Sequence, residues 1–498
     1  MQCVVVLIVV VPLVASLLSP MTVRAAEAVT VVSGVATFGL ALVIGGAVAH
    51  GDVSVGGFLR VDALSAVFLL GTTFLYAVTA VYSVGYLRTH AAEPDTSDDH
   101  AERRRYLRRY YLGFNVFAWS MVCAPLVGGL ALLWIAVEVT TVVSALLVAL
   151  DATENATEAA WKYVLIASSG LGIALLATIF MYYAGAVVLG ESYDLDFATL
   201  LGVAHHLPPT PVRLSFVLAV VGYGTKVGLF PVHTWLPDAH AEAPTPISAL
   251  LSGSLLAVSF YAILRFFQIA RSALGPGFPQ GVLTVFGMAS LLLAALYLLQ
   301  QRNLKRMLAY SSVEHMGILA IAVGFGSPLA FLGAMLHVLC HAAAKGTAFM
   351  GAGVLANKFG SKELADMRGA MNVLPWSAPM FLMAVFALSG MPPFGVFRSE
   401  FQIVSGAWDG ATGARALALV LLVTLAFVGL AWSTTRILFE PAGRGTAAAA
   451  IPAGEPSVWM VVPVVAGIVA LLVLGVAPPG YITALSSRAA AELTSGVI

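Results

Sequence analysis

The sequence predicts an all-α polytopic membrane protein with about 14 transmembrane helices and two inverted five-helix repeats, helices 7 and 12 being broken. Three observations lead there. Of 498 residues, 60% are hydrophobic and only 10% charged, with a mean hydropathy of +0.93, whereas a soluble domain carries about 25% charge. The apolar residues gather into runs approaching the roughly 20 residues a helix needs to cross a bilayer core. Two of those runs, five spans apart, carry a charge beside helix breakers: GYGTKVGLFP around Lys226, and SGMPPFGVFRSEF around Pro392, Pro393 and Glu400.

In chain order the spans are expected at 3–19, 28–49, 62–86, 110–128, 130–150, 161–187, 212–232, 245–269, 280–300, 307–325, 329–355, 376–400, 412–438 and 457–476. The first run, Val4 to Leu18, precedes an Ala-rich stretch from Arg24 to Ala28 that imitates a signal cleavage site. No basic segment stands before it, so it is read as an uncleaved span. Lys and Arg set the orientation. With residues at span ends assigned to the adjoining loop, 16 lie on the side of the odd-numbered connections, 6 on the other and 3 within spans. The odd side is therefore expected in the cytoplasm, led by Arg103, Arg104, Arg105, Arg108 and Arg109, with both termini on the outer face of the cell inner membrane. A five-helix unit repeated along the chain is necessarily inverted in the membrane. Residues 106–270 (helices 4–8) and 271–440 (helices 9–13) are read as the repeats, flanked by helices 1–3 in 1–105 and helix 14 with its tail in 441–498.

Net charge is zero and the basic residues are scattered, which argues against a nucleic-acid-binding face. Cys3, Cys123 and Cys340 lie far apart and form no CxxC. With no P-loop and no strand-linked GxGxxG, the chain is expected to bind no nucleotide; with no CxxC, and no carboxylate or thiolate spaced to join the histidines of span 11, it is expected to hold no metal, and it is expected to carry no cofactor and no catalytic centre of its own. Redox chemistry would sit on partner subunits.

Ionisable side chains inside a bilayer cost about 2.5–3.5 kcal/mol each on insertion scales, so each is a functional candidate. Glu138 stands in span 5 with no other charge within ten residues. Lys226 sits in span 7, where Gly222, Gly224, Gly228 and Pro231 loosen the helix and free backbone groups for water. A carboxylate beside a desolvated lysine opposes the loss of its charge, so Glu138 would tune Lys226, with a permanent ion pair as the plainer alternative. In span 11, His337, His341 and Lys345 are spaced i, i+4 and i+8 and share one helix face, a ready relay. Span 10 places Lys305 near the cytoplasmic edge, where it either joins the row or snorkels, and Glu314 and His315 deeper. Glu400 either ends the path outward or pairs with Arg398. The loop 231–248 packs His233, Asp238, His240 and Glu242 between prolines, as a rigid polar vestibule or a solvated turn. The expected proton pathway is thus Glu138, Lys226, His233, Lys305, Glu314, His315, His337, His341, Lys345 and Glu400, with helix breaks at Pro231, Pro392 and Pro393.

The segments KVGLFPVHTWLPDAHAEAPTPISALLSG and NLKRMLAYSSVEHMG, with the His337, His341, Lys345 stripe, resemble the antiporter-like membrane subunits of complex I and its relatives over about residues 60–440. EAAWKY (158–163), SSVEHMG and SALLSG look most like the component F subunit of hydrogenase-4 and other group 4 nickel-iron hydrogenase complexes. The resemblance implies a proton-translocating subunit of an ion-pumping oxidoreductase. The glutamate-lysine pair of its first half-channel would match Glu138 and Lys226, the central axis Lys305 and span 11, and the terminal charge of span 12 Glu400. Iron–sulfur centres, with nickel-iron or flavin as further options, would lie on partner membrane and peripheral subunits. Many members carry a lysine in span 8; here Ala257 stands near that position, so the link between halves would fall to water or Ser259. Alternatives are a subunit of a multi-subunit cation/proton antiporter, a substrate-uptake subunit, and a non-pumping scaffold.

Overall fold

The computed structural model describes residues 1–90, 97–408, 412–441 and 451–495. Every expected span has a helical counterpart. Ten helices among the described residues are long and apolar enough to cross a membrane. The others are a shorter first helix (Gln2–Leu18), a fourth with a charged start (Ser97–Cys123), a seventh ending at its break (Pro209–Val227), and a twelfth split in two (Ser377–Leu388 and Gly395–Ala407). The tail adds a helix beyond the fourteen, Gly480–Ser495. The linker residues 442–450, at the start of the expected C-terminal segment, lie outside the described residues.

One element escapes the all-α expectation. Between spans 2 and 3, Val53–Val55 pairs antiparallel with Leu59–Val61.

Burial separates inner helices from outer ones. The apolar windows of spans 8, 10, 11 and 3 are 100%, 94%, 89% and 83% buried, against 33–44% for the other six. The outer helices turn apolar side chains such as Leu146, Trp161, Leu165, Val285 and Trp432 outward, as lipid or a neighbouring subunit requires. The charges expected to matter in spans 10 and 11 therefore belong to the best-shielded helices. A polar hub fixes the N-terminal four spans together. Asn115 donates to Ser19 (2.8 Å) and Thr30 (2.7 Å) and accepts from Tyr76 (2.6 Å), which leaves no side-chain group of the buried amide idle.

Span 8 is continuous but irregular. Thr245–Leu274 contains a π-turn over Leu251–Leu255, a local widening of the kind often found at functional positions.

Candidate functional site

The first segment of the row is built on the break of span 7. Lys226 occupies the last turn of its helix, closed by Gly228 in the left-handed conformation (φ 81°), and the negative pole of a helix C-terminus favours a cation there. The ammonium is fully buried and donates to the Tyr163 hydroxyl at 2.6 Å, which lies 2.7 Å from the Ser144 hydroxyl. Trp235, on the short helix Trp235–Glu242 that follows the break, stacks on Tyr163 (centroids 4.3 Å apart) and donates to the Thr225 carbonyl (2.8 Å). Glu138 is half-buried and electrostatically coupled to Lys226, but among the described residues no ion pair within 4 Å joins them. A permanent structural salt bridge is thus not what the pair forms. Tyr163 ends the segment EAAWKY, but nothing in that segment marks its hydroxyl as the partner of Lys226.

On the face of the odd-numbered connections, a polar cleft of about 340 Å³ is lined by Glu158, Lys162, Asp238, Glu242, Arg306 and neighbours. Asp238 pairs with Lys162 (3.3 Å) and Arg306 (2.5 Å), and Glu242 with Lys362 (3.2 Å). His233 is buried, with its ring 6.3 Å from that of Phe230 at the break of span 7. Lys305 does not snorkel. It is buried and donates 2.7 Å to the Ala243 carbonyl, at the end of the short helix. His240, which the sequence leaves as equally a solvated turn, is fully buried, stacked on Phe349 and electrostatically coupled to both Lys305 and Lys345.

The second segment is a zigzag between spans 10 and 11 rather than one stripe. Lys345 donates to the Leu308 carbonyl (3.2 Å) and to Ser311, and is coupled to the buried Glu314. His341 lies 3.2 Å from the Ser252 carbonyl in the π-turn, whose hydroxyl is 2.7 Å from that of Ser312. The rings of His337 and His341 are 6.4 Å apart, too far to bond, and His315 fills the space with centroids 5.1 Å and 5.2 Å from them. His315 Nδ1 lies 3.0 Å from His337 Nε2, and His337 Nδ1 lies 2.9 Å from the Ser399 hydroxyl. Ser399 gives its own proton to the Val396 carbonyl (2.7 Å), so the tautomers follow by assignment: His337 donates through Nδ1, and His315 donates to His337.

Glu400 closes the row. Arg398 turns away to the Gly475 carbonyl (3.3 Å) and forms no ion pair with Glu400 among the described residues, so the plainer reading of that carboxylate is not realised. Carboxylate and imidazole ligand atoms of Glu400, His315 and His337 all lie within 4.8 Å of one another. A cleft of about 290 Å³ between spans 12 and 13, lined by Ser389, Gly390, Glu400 and Phe401, reaches this point. Gly390 (φ 64°) is required twice over: a Cβ there would sit 2.2 Å from Glu400 Oε2.

The two segments are not joined by protein hydrogen bonds among the described residues. Ala257 is buried, and Ser259 spends its hydroxyl on its own helix, at the Leu255 carbonyl (2.9 Å). The serine of span 8 that faces the central axis is Ser252, which sequence reasoning did not single out.

It also missed a charge cluster at the opposite face. Arg265 of span 8 pairs with Asp62 at 2.7 Å, both buried, and also donates to Tyr261 (2.9 Å) and Gln268 (3.0 Å). Glu492, from the last helix, accepts from the Ala63 and Leu64 amides at the start of span 3 (3.0 and 3.1 Å). Arg265, a lone charge in an apolar run, was the available signal. Burial, with Asp62 beside it and Arg265 opposing, raises the Glu492 carboxyl to about 7. A raised carboxyl favours the folded state below its unfolded pKa, and that contribution is lost as pH rises toward 7. Thermal unfolding in detergent is expected to show wild-type stability falling between pH 4.5 and 7.5, and Glu492→Gln flattening part of that fall. An unchanged slope in the variant would refute it.

The sequence pattern of the family described as "NADH:quinone oxidoreductase/Mrp antiporter, TM" matches residues 127–427, which hold every row member. The chain belongs to that family. A hydrogenase-4 component F homolog of Methylacidiphilum infernorum is 37% identical over 376 residues, 74% of this chain and 76% of that protein. Hydrogenase-4 component B of Escherichia coli is 30% identical over 387 residues, 75% of this chain and 54% of the relative. The fold is shared with a chain of the sulfane sulfur reductase, an archaeal respiratory membrane complex (TM-score 0.84, 22% identity, 100% of both chains). It is shared too with a chain of the Mrp complex of Dietzia sp. (0.84, 20%, 99% of this chain and 97% of that one) and one of Thermus thermophilus respiratory complex I (0.74, 22%, 97% and 100%). This family member is thus a multi-pass, antiporter-like membrane protein whose interior helices carry a row of ionisable groups.

Proposed function

We propose that the chain is the proton-translocating membrane subunit of an ion-pumping oxidoreductase complex of hydrogenase-4 or complex I type. The observation that carries this is the central axis. Lys345, Glu314, His341, His315 and His337 are packed into neighbouring contacts on two of the best-buried helices, spans 10 and 11, and Glu400 joins them from the second half of span 12. Structural charges in a membrane pair off, as Asp62 and Arg265 do, whereas here one lysine and three histidines face two carboxylates.

Protons enter through the cleft at Asp238 and Glu242, pass Lys305 and His240, and leave at Glu400. Glu138 and Lys226 form a second, loading segment. Each charge steadies the opposite one on its neighbour, so a change imposed at one end of the row shifts proton occupancy along it. Iron–sulfur centres, with nickel-iron or flavin, reside on partner subunits. The chain lies in the inner membrane as two inverted repeats, 106–270 and 271–440, with both termini outside.

The cation/proton antiporter reading draws support from the fold shared with the Mrp chain; copurification with redox subunits would decide against it. In proteoliposomes or membrane vesicles carrying the complex, Lys226→Ala and Glu138→Ala are expected to lower proton transport by tenfold or more while electron transfer continues. Unchanged pumping in both removes this pair from the path. For orientation, a cysteine replacing Arg104 in a Cys3→Ser background should react with an impermeant maleimide only from the cytoplasmic side. Labelling from outside reverses the topology.

A further inference from the structure

We propose that His315, His337 and Glu400 form a binding site for a zinc-class divalent cation, and that its occupancy blocks the row. Spacing along span 11 offers two imidazoles and no carboxylate, which is why the sequence predicts no metal. The fold supplies the rest from two other helices: span 10 brings His315 and the second half of span 12 brings Glu400.

The donor atoms lie within 4.8 Å of one another. His315 Nδ1 and His337 Nε2 face each other at 3.0 Å, close to the roughly 3.3 Å separating two nitrogens of a tetrahedral zinc with bonds near 2.05 Å. Two histidines and a glutamate with an open fourth position are an ordinary donor set for this ion. The supports of such ligands are present as well. His337 already donates its other ring proton to Ser399 (2.9 Å), the outer contact that fixes a metal-binding tautomer. His315 Nε2 is buried without a partner of its own, the Leu388 backbone interacts with the same ring, and Glu400 Oε1 is likewise unpartnered.

Binding needs a shift of tautomer and a turn of the two rings, so that nitrogens now aimed at each other converge on the ion. The proton between the two imidazoles moves from His315 Nδ1 to His315 Nε2, leaving both facing nitrogens to the metal with no net loss from the histidines. Any proton on Glu400 is released to water. The cleft of about 290 Å³ beside Glu400 supplies the approach. Glu314 and Glu400 offset the two positive charges, and Lys345, the cation coupled to these rings, opposes them. An occupied site takes two imidazoles out of proton exchange, and this blocking effect rests on the proton reading above. The site itself does not.

The test uses the full chain, purified through a histidine-free tag and titrated with Zn²⁺ and, for its visible spectrum, Co²⁺. We expect one ion per chain, the intense visible bands of a tetrahedral cobalt site, and X-ray absorption showing two imidazole nitrogens with oxygen. His337→Gln and Glu400→Gln should each weaken binding at least tenfold. Replacing His205 and His206, two adjacent exposed histidines, by glutamine controls for surface binding and should leave binding intact. No stoichiometric binding, an all-oxygen octahedral spectrum, or loss with the surface pair but not with His337→Gln overturns the site. In vesicles, Zn²⁺ should arrest transport over the concentration range in which it binds, and binding without arrest overturns the block. Binding at these ligands alongside normal pumping in Lys226→Ala and Glu138→Ala sinks the role of that pair and leaves the site standing.

Discussion

Lys345→Met is expected to bring proton transport down about 100-fold or more, the range a positioned proton-transfer group commonly supplies, while the chain stays folded. Lys345 stands where the row changes helices. Its ammonium contacts the Leu308 carbonyl and Ser311, and Glu314 and the histidine rings lie within its electrostatic reach. Methionine keeps the aliphatic stem and removes the only ammonium of span 11's buried stretch. Glu314 is then left without its cation, and a buried carboxyl in that position neutralises itself rather than unfolding the protein. Lys345→Arg should recover only part of the rate, because a planar fork with fixed donors cannot reproduce the contacts of a rotating ammonium. The measurement is acidification of vesicles containing the assembled complex, set beside its electron-transfer rate. Wild-type pumping in Lys345→Met would take the lysine, and with it the central axis, out of the path.

Asp62→Ala should cost about 3–5 kcal/mol of stability, the usual result of orphaning one member of a buried ion pair. Arg265 is 1% exposed, and its Nη2 rests on Asp62 Oδ1 at 2.7 Å. Removing the carboxylate leaves a guanidinium that cannot shed its proton, held in place by Tyr261 and Gln268. Removing both charges is a different perturbation. Asp62→Ala with Arg265→Met is expected to regain most of the loss, since buried pairs exchanged for apolar groups are often neutral. Thermal unfolding in one detergent, with all three proteins compared, reads this directly. A single variant as stable as wild type, or a double variant no better than the single, would refute the account.

Composition and periodicity made the spans legible because a bilayer imposes one length and one chemistry on every crossing helix. The breaks in spans 7 and 12 were equally legible through glycine and proline. So were the charges, since Glu138, Lys226, Glu314 and Lys345 stand alone in apolar runs. What one-dimensional spacing cannot report is which helix faces which. His315 was singled out, but its position between His337 and His341 depends on the packing of spans 10 and 11. Ser399 has no distinguishing local pattern, and the segments EAAWKY and SALLSG, which hold Tyr163 and Ser252, do not single out either hydroxyl; a hydroxyl in a membrane helix usually bonds its own backbone, as Ser259 does. The Asp62, Arg265 and Glu492 cluster joins residues 203 and more than 400 positions apart. The small hairpin at 53–61 was within reach: VSV and LRV flank Gly56 and Gly57, both of positive φ (61° and 74°).

Glu138 differs from the rest of the row in where it stands. The central histidines and lysines are walled in by this chain alone, but Glu138 is half-buried on a helix that also turns Ile135, Val142 and Leu146 outward. Its surroundings are therefore only partly written in this sequence. The molecule next to that helix supplies the remaining solvation shell, and hydrocarbon and a polar neighbour differ there by kilocalories per charge. A neighbour's residue at that boundary becomes an electrical input to Lys226 without sharing any covalent or cofactor link with it. Subunits arranged side by side in this way would pass a signal through the membrane plane by proximity of charge alone, each one's state being the boundary condition of the next.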